Sequence, residues 1–178
     1  RPPRSTLFPY TTLFRSLVVI LFFGLFTNTK VIQSPLIGKN LPNFTLTTLR
    51  SGQAISKDDL TKEPILLNVW ASWCLACIKE HSILKSIQSN NHIKIIGINY
   101  KDERSDAIGW LNIYGDPYKY NLYDVNGEFA IDLGVYGVPE TFLVDQNGLI
   151  RAKHVGELTE EIYSKKLLPM IKKINEKN

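Results

Sequence analysis

Two cysteines are all this 178-residue chain has, and both fall in Trp70-Ala-Ser-Trp-Cys-Leu-Ala-Cys77. Cysteines three apart on a helix lie on one face and can close a disulfide. The first of them, Cys74, stands where a strand pattern gives way to a helix pattern. At a helix N-terminus the dipole and the unpaired N–H groups favour an anion, here the Cys74 thiolate. A free thiol of pKa about 8.5 is only a few per cent ionised at neutral pH, and lowering the pKa to about 7 raises the reactive fraction roughly tenfold or more. A structural zinc site needs four ligands; there is no second CxxC, and His81, His92 and His154 are scattered along the chain. Inert core cysteines are the remaining alternative, but the strand-to-helix junction favours redox chemistry. The expected reactive group is therefore the Cys74–Cys77 pair itself, with no further cofactor and no metal.

A second element is Gly134-Val-Tyr-Gly-Val-Pro-Glu-Thr-Phe142. Pro139 directly precedes a strand pattern, which fits either an ordinary loop proline or a cis bond in a turn.

These residues need a scaffold, and the chain patterns one. Asn43–Leu49 alternates as a strand, Ser51-Gly52 is a turn, and Gln53–Ser56 returns as a hairpin. Lys57–Leu60 suggests a helical turn. Pro64–Trp70 is a short apolar run, read as a buried central strand. A helix from Cys74 to about Gln88 and a strand at His92–Asn99 complete a βαβ unit. Arg104–Tyr114 is a second helix, ended by Gly115-Asp116-Pro117. Leu122–Asp124 is a short strand and Phe129–Leu133 a short helix. Thr141–Asp145 and Leu149–Val155 are strands joined at Asn147-Gly148, a strong hairpin signal. Thr159 can cap a last helix to about Ile174, which Pro169 should kink or break. The sum is a mixed sheet with helices on both faces.

Length and composition suit one domain plus a short extension, with 44% hydrophobic and 21% charged residues. The formal net charge is +4, but Arg1, Arg4, Arg15 and Lys30 precede Val31 with no acid among them, so basic and acidic residues balance at 17 each thereafter. A nucleic-acid binder needs a basic face, and no nucleic-acid partner is expected.

Leu17–Phe26 is strongly apolar but shorter than the about 20 residues of a full span. No small-residue cleavage pattern follows it, so residues 17–32 are expected to be a membrane anchor or an uncleaved signal. Met170 is the only methionine, and Ser5–Ser16 nearly repeats itself without structural logic. Residues 1–16 are accordingly expected to be non-native, and residues 33–178 to form the folded domain.

Several segments together resemble the thioredoxin superfamily, and within it the DsbE/CcmG family of cytochrome c biogenesis proteins. They are Ser34–Lys39, Leu67–Cys77, Glu80-His81, Gly97-Ile-Asn-Tyr-Lys-Asp102 and Gly134–Leu143. The resemblance implies an α/β fold: a thioredoxin-like mixed β-sheet sandwiched between helices, with an N-terminal β-hairpin extension and an N-terminal membrane anchor. It implies that Pro139 is cis and faces the cysteines, and that Trp73, Val138 and Thr141 meet the substrate. Val138 would offer its backbone to a client peptide as to an added strand. It further implies that Glu80 and Glu140 lie near the dithiol, where an acid of raised pKa can take the Cys77 proton. The implied activity is a protein-disulfide reductase. Its clients would be apocytochrome c or cytochrome c maturation proteins, its electron donor a transmembrane thiol reductase. Its place would be the periplasmic face of a bacterial inner membrane, on a single-pass anchor. Leu75 departs from the family's usual proline, which leaves the reduction potential open. Three other activities compete: a general envelope disulfide reductase, a peroxiredoxin-type peroxidase and a copper or haem chaperone. The second lacks its Thr or Ser at the position of Ala71, and the third would have to use His154.

Overall fold

The computed structural model describes residues 8–25 and 35–176. Expectations for residues 1–7 and 26–34, including the end of the anchor and Ser34, lie outside the described residues. The chain divides into two compact units, Arg1–Gln33 and Ser34–Asn178. The described part of the first is one helix, α1 (Phe8–Leu25), which runs uninterrupted across the expected boundary at residue 16. Its large apolar side chains from Leu13 to Leu25 are exposed. Among the described residues, no helix is long and apolar enough to cross a membrane.

The second unit is built on a seven-stranded sheet in the order β2-β1-β5-β4-β3-β6-β7. The strands are β1 (Thr45–Thr48), β2 (Ala54–Ser56), β3 (Ile65–Trp70), β4 (Lys94–Tyr100), β5 (Tyr120–Asp124), β6 (Glu140–Val144) and β7 (Ile150–Val155). β3, β4 and β5 are parallel, and β6 joins β3 antiparallel, with Asn68 opposite Thr141 and Val69 opposite Glu140. At the far edges β1 and β2 pair antiparallel, as do β6 and β7. Every residue of β3 is buried, as expected of a strand with neighbours and helices on all sides.

Alternation along the strands splits the core in two. Leu66, Trp70 and Leu143 face one side, beneath α3 (Leu75–Asn90), α4 (Arg104–Tyr114) and the C-terminal helix. Leu67, Val69, Phe142 and Val144 face the other, with α2 (Lys57–Leu60) and α5 (Glu128–Asp132). α4 ends at Gly115, whose φ of +93° is a conformation that a side chain would strain.

The C-terminal helix corrects one expectation. Pro169 neither breaks nor ends it: α6 (Glu160–Ile162) continues through a π-helical turn (Tyr163–Leu167) into α7 (Leu168–Asn175). The Leu168 N–H reaches back five residues to the Tyr163 carbonyl. This wider turn seats Pro169 in the first turn of α7, where its missing N–H costs little.

Candidate active site

The turn between β3 and α3 is held from the side. The Asp102 carboxylate accepts from Ser72 N–H at 2.6 Å and Ser72 Oγ at 2.7 Å. It also accepts from Asn99 Nδ2 and from Glu103 N–H, both at 2.9 Å. The Trp73 indole N–H donates to the Lys101 carbonyl at 3.0 Å. Asn99 to Glu103 thus form a cradle that delivers the chain to Cys74 in a fixed direction. Asp102 was legible only as part of a motif; its role as acceptor was not.

Cys74 is the N-cap of α3, with extended backbone, and its Sγ accepts the Cys77 N–H at 3.0 Å. Sulfur here occupies the place usually taken by a Ser, Thr, Asp or Asn oxygen. A thiolate fills that role better than a thiol, because it is charged and meets the positive end of the helix. Cys74 and Cys77 form a disulfide with Cα atoms 5.3 Å apart. Both cysteines are buried, Cys74 at 5% exposure and Cys77 at 2%. Trp73 and Leu75 flank Cys74, both exposed.

The Val138–Pro139 bond is cis. Val138 is half-buried and packs against both core groups, one of which contains both cysteines. Among the described residues, its N–H and C=O have no backbone partner, whereas the Pro139 carbonyl accepts from Gly156 N–H at 2.9 Å.

Glu80 lies one turn beyond Cys77 on the same face of α3 and is buried. Its Oε1 accepts from Asn68 Nδ2 at 2.8 Å and its Oε2 from the Leu158 N–H at 2.8 Å. Burial dominates these hydrogen bonds and pushes its pKa up to about 7. The carboxyl can therefore hold or release a proton near neutral pH. Asn68 is itself fixed: its Oδ1 accepts from the Tyr118 hydroxyl at 2.8 Å, and its Nδ2 also donates to Thr141 Oγ1 at 3.1 Å. Burial drives the Tyr118 hydroxyl well above its ordinary pKa, so it remains a donor. Tyr118 in turn stacks on Trp70, whose indole N–H donates to Asn121 Oδ1 at 3.0 Å. Gly97 makes room for this layer, since a Cβ there would collide with Asn121 Oδ1. One sequence signal could have found Asn68: it is a lone polar residue inside a buried apolar strand, and such a residue must have partners.

Two expected site residues are placed differently. Thr141 is fully buried with its hydroxyl turned to Asn68, so its side chain is not offered to a substrate. Glu140 is also fully buried but shares its sheet face with Phe142 and Val144, opposite the face of Asn68, Thr141 and Glu80. Neighbours in a strand point to opposite sides, so Glu140 and Thr141 cannot share one site. Glu140 Oε2 lies 2.8 Å from Lys153 Nζ instead.

The histidines are dispersed. Buried His81 sits within 3.0 Å of the Gly115 carbonyl, and burial lowers its pKa. His154 on β7 lies 3.0 Å from the Glu157 carbonyl.

The family model that matches this chain is Redoxin, over residues 36–167. The thiol:disulfide interchange protein DsbE of Yersinia pestis is 45% identical over 148 residues, covering 80% of this chain and 77% of that protein. The DsbE of Allochromatium vinosum is 41% identical over 160 residues, covering 89% and 88%. Among solved structures, a secreted thiol-disulfide isomerase from Corynebacterium glutamicum superposes with a TM-score of 0.65 at 25% identity, covering 74% of this chain and 85% of its own.

Proposed function

This chain belongs to the Redoxin family and is a thiol:disulfide oxidoreductase of the DsbE kind, and on that premise we propose that it reduces client disulfides through Cys74, with Cys77 resolving. The carrying observation is the Cys74 sulfur at the N-cap of α3, accepting the Cys77 N–H. The Cys74 thiolate attacks one sulfur of a client disulfide; that S–S bond breaks and the other client sulfur leaves as a thiolate. A mixed disulfide holds the two proteins together. Cys77 then passes its proton to Glu80 and attacks Cys74 Sγ. The second client thiolate leaves, and the enzyme keeps the Cys74–Cys77 disulfide. Two electrons have moved from enzyme to client. A pKa of about 7 at Glu80 suits both taking and returning this proton near neutral pH.

Trp73 and the free backbone groups of Val138 are the proposed client contacts, the latter as an added strand edge. No cofactor beyond the dithiol is required for these steps. The resemblance to the DsbE/CcmG family supports apocytochrome c, at its haem-binding cysteines, or a maturation partner as the client. It likewise supports a transmembrane thiol reductase as the donor that restores the dithiol. The apolar run Leu17–Phe26 supports an anchor within residues 17–32, and the resemblance to the DsbE/CcmG family supports a bacterial inner membrane with the folded domain in the periplasm.

Cys77→Ser expressed in cells is expected to accumulate a mixed disulfide with an apocytochrome c or maturation protein, and Cys74→Ser to trap none. Equal yields of adduct from the two variants would overturn the assignment of Cys74 as attacking sulfur. Adducts with many unrelated envelope proteins would replace the specific client by a general one.

A further inference from the structure

One amine gathers the loop that carries Val138. Lys153 stands on β7 opposite Phe142. Its Nζ lies 2.8 Å from Glu140 Oε2 and donates to the Gly134 carbonyl at 2.8 Å. The same atom sits 5.0 Å from the centre of the Tyr136 ring and 5.2 Å from that of Phe142. The Lys153 side chain is 6% exposed and that of Glu140 0%. Glu140 Oε1 in turn accepts the Tyr136 N–H at 3.3 Å. The segment from Gly134 to Glu140 is thus tied at its beginning, middle and end to one buried ion pair. Its most outward side chain, Tyr136 at 79% exposure, leans on the same cation.

A buried ion pair is a poor device for stability alone, because well-packed apolar residues do as well. What this pair does that apolar residues cannot is hold a carbonyl, an amide and an aromatic face at once. The loop contains Gly134 and Gly137, so untied it would sample many shapes. An extended client must pair with Val138 in one shape only, and ordering the loop at that moment weakens binding.

We propose that Lys153 and Glu140 form a clasp that holds the Gly134–Pro139 loop ready for a polypeptide client, so that Lys153 is a positioning residue for client binding and Glu140 is its anchor rather than a proton carrier. The proposal rests on the reductase reading of the site.

The reduced protein is assayed on an oxidised peptide carrying a haem-binding CxxCH disulfide, a polypeptide client, and on oxidised glutathione, a small disulfide that needs no strand-like docking. Two variants are compared with the unaltered chain: Lys153→Met, and Lys153→Met with Glu140→Gln, which removes both charges. The ratio of kcat/KM on the peptide to that on glutathione should fall about tenfold in the folded variants, mainly through KM. The Tyr136 amide should be protected from hydrogen exchange in the unaltered protein and lose that protection in the double variant. An unchanged ratio in a folded variant overturns the clasp. So does a Tyr136 amide that exchanges freely in the unaltered protein, a result that needs no variant to fold. An unaltered protein inactive on both disulfides overturns the reductase reading itself.

Discussion

Glu80 and Glu140 are both buried carboxyl groups beside the same central sheet, yet they stand on opposite faces and keep opposite company. Among the described residues, Glu80 is met only by neutral donors, the Asn68 amide and the Leu158 N–H. Glu140 is met by an ammonium group. Neutral donors offset part of the cost of burying a charge, leaving a group that can exchange a proton near neutral pH. An opposite charge ties the carboxyl of Glu140 to one neighbour. Burial alone therefore does not set what a carboxyl group can do; its partner decides.

The comparison can be broken by removing partners. The largest effect is expected from Lys153→Met alone, which strands the Glu140 charge and should cost about 3–5 kcal/mol. Adding Glu140→Gln should restore most of it, measured by denaturant unfolding. Equal stability of the single and double variants would show that the pair is not coupled.

Next comes Glu80, whose raised folded pKa has a sign that can be checked. The folded state holds a proton that the unfolded chain has released between pH 4.5 and about 7. Glu80 thus contributes stability that is full below 4.5 and is lost as pH rises through about 7, amounting to about 3 kcal/mol across that window. Glu80→Gln should flatten this slope in unfolding measured at several pH values. It should also slow resolution of the mixed disulfide about a hundredfold. A variant with the slope of the unaltered protein would remove Glu80 as its origin.

A smaller effect is expected from Tyr118→Phe, which leaves Asn68 Oδ1 without its donor and frees the amide to turn. The loss should be about 1–3 kcal/mol. With the amide no longer aimed at Glu80, the carboxylate loses a donor and its pKa should rise further, as read from its carbon chemical shift against pH. No movement of that titration would mean that Tyr118 does not orient Asn68.

Much of this architecture was legible in the residue pattern. The apolar run ending at Trp70, the cysteine spacing and the Asn147-Gly148 turn are local signals, and the structure has β3, α3 and the β6–β7 pair there. α4 spans Arg104–Tyr114, as its pattern and the following Gly115 predict. The misplacements arose where the third dimension decides. Glu140 and Thr141 are adjacent in a motif, and motif proximity obscured the alternation that sends them to different faces. Lys153 carries no signature, because its partners come from the register that sets it opposite Phe142. Asn68 and Tyr118 lie fifty residues apart and meet only through the folding of β3 against the segment leading into β5. The π-helical turn before Pro169 follows from how the last helix accommodates a ring, which periodicity does not encode.

The sulfur that begins α3 also links folding to electron flow. A thiolate in that place would grip the first turn harder than the disulfide sulfur does. Around a closed thermodynamic box, whatever secures the dithiol state more firmly than the bridged state makes electrons harder to surrender. Leu75 and Ala76 between the cysteines bring no cationic side chain to strengthen that bias.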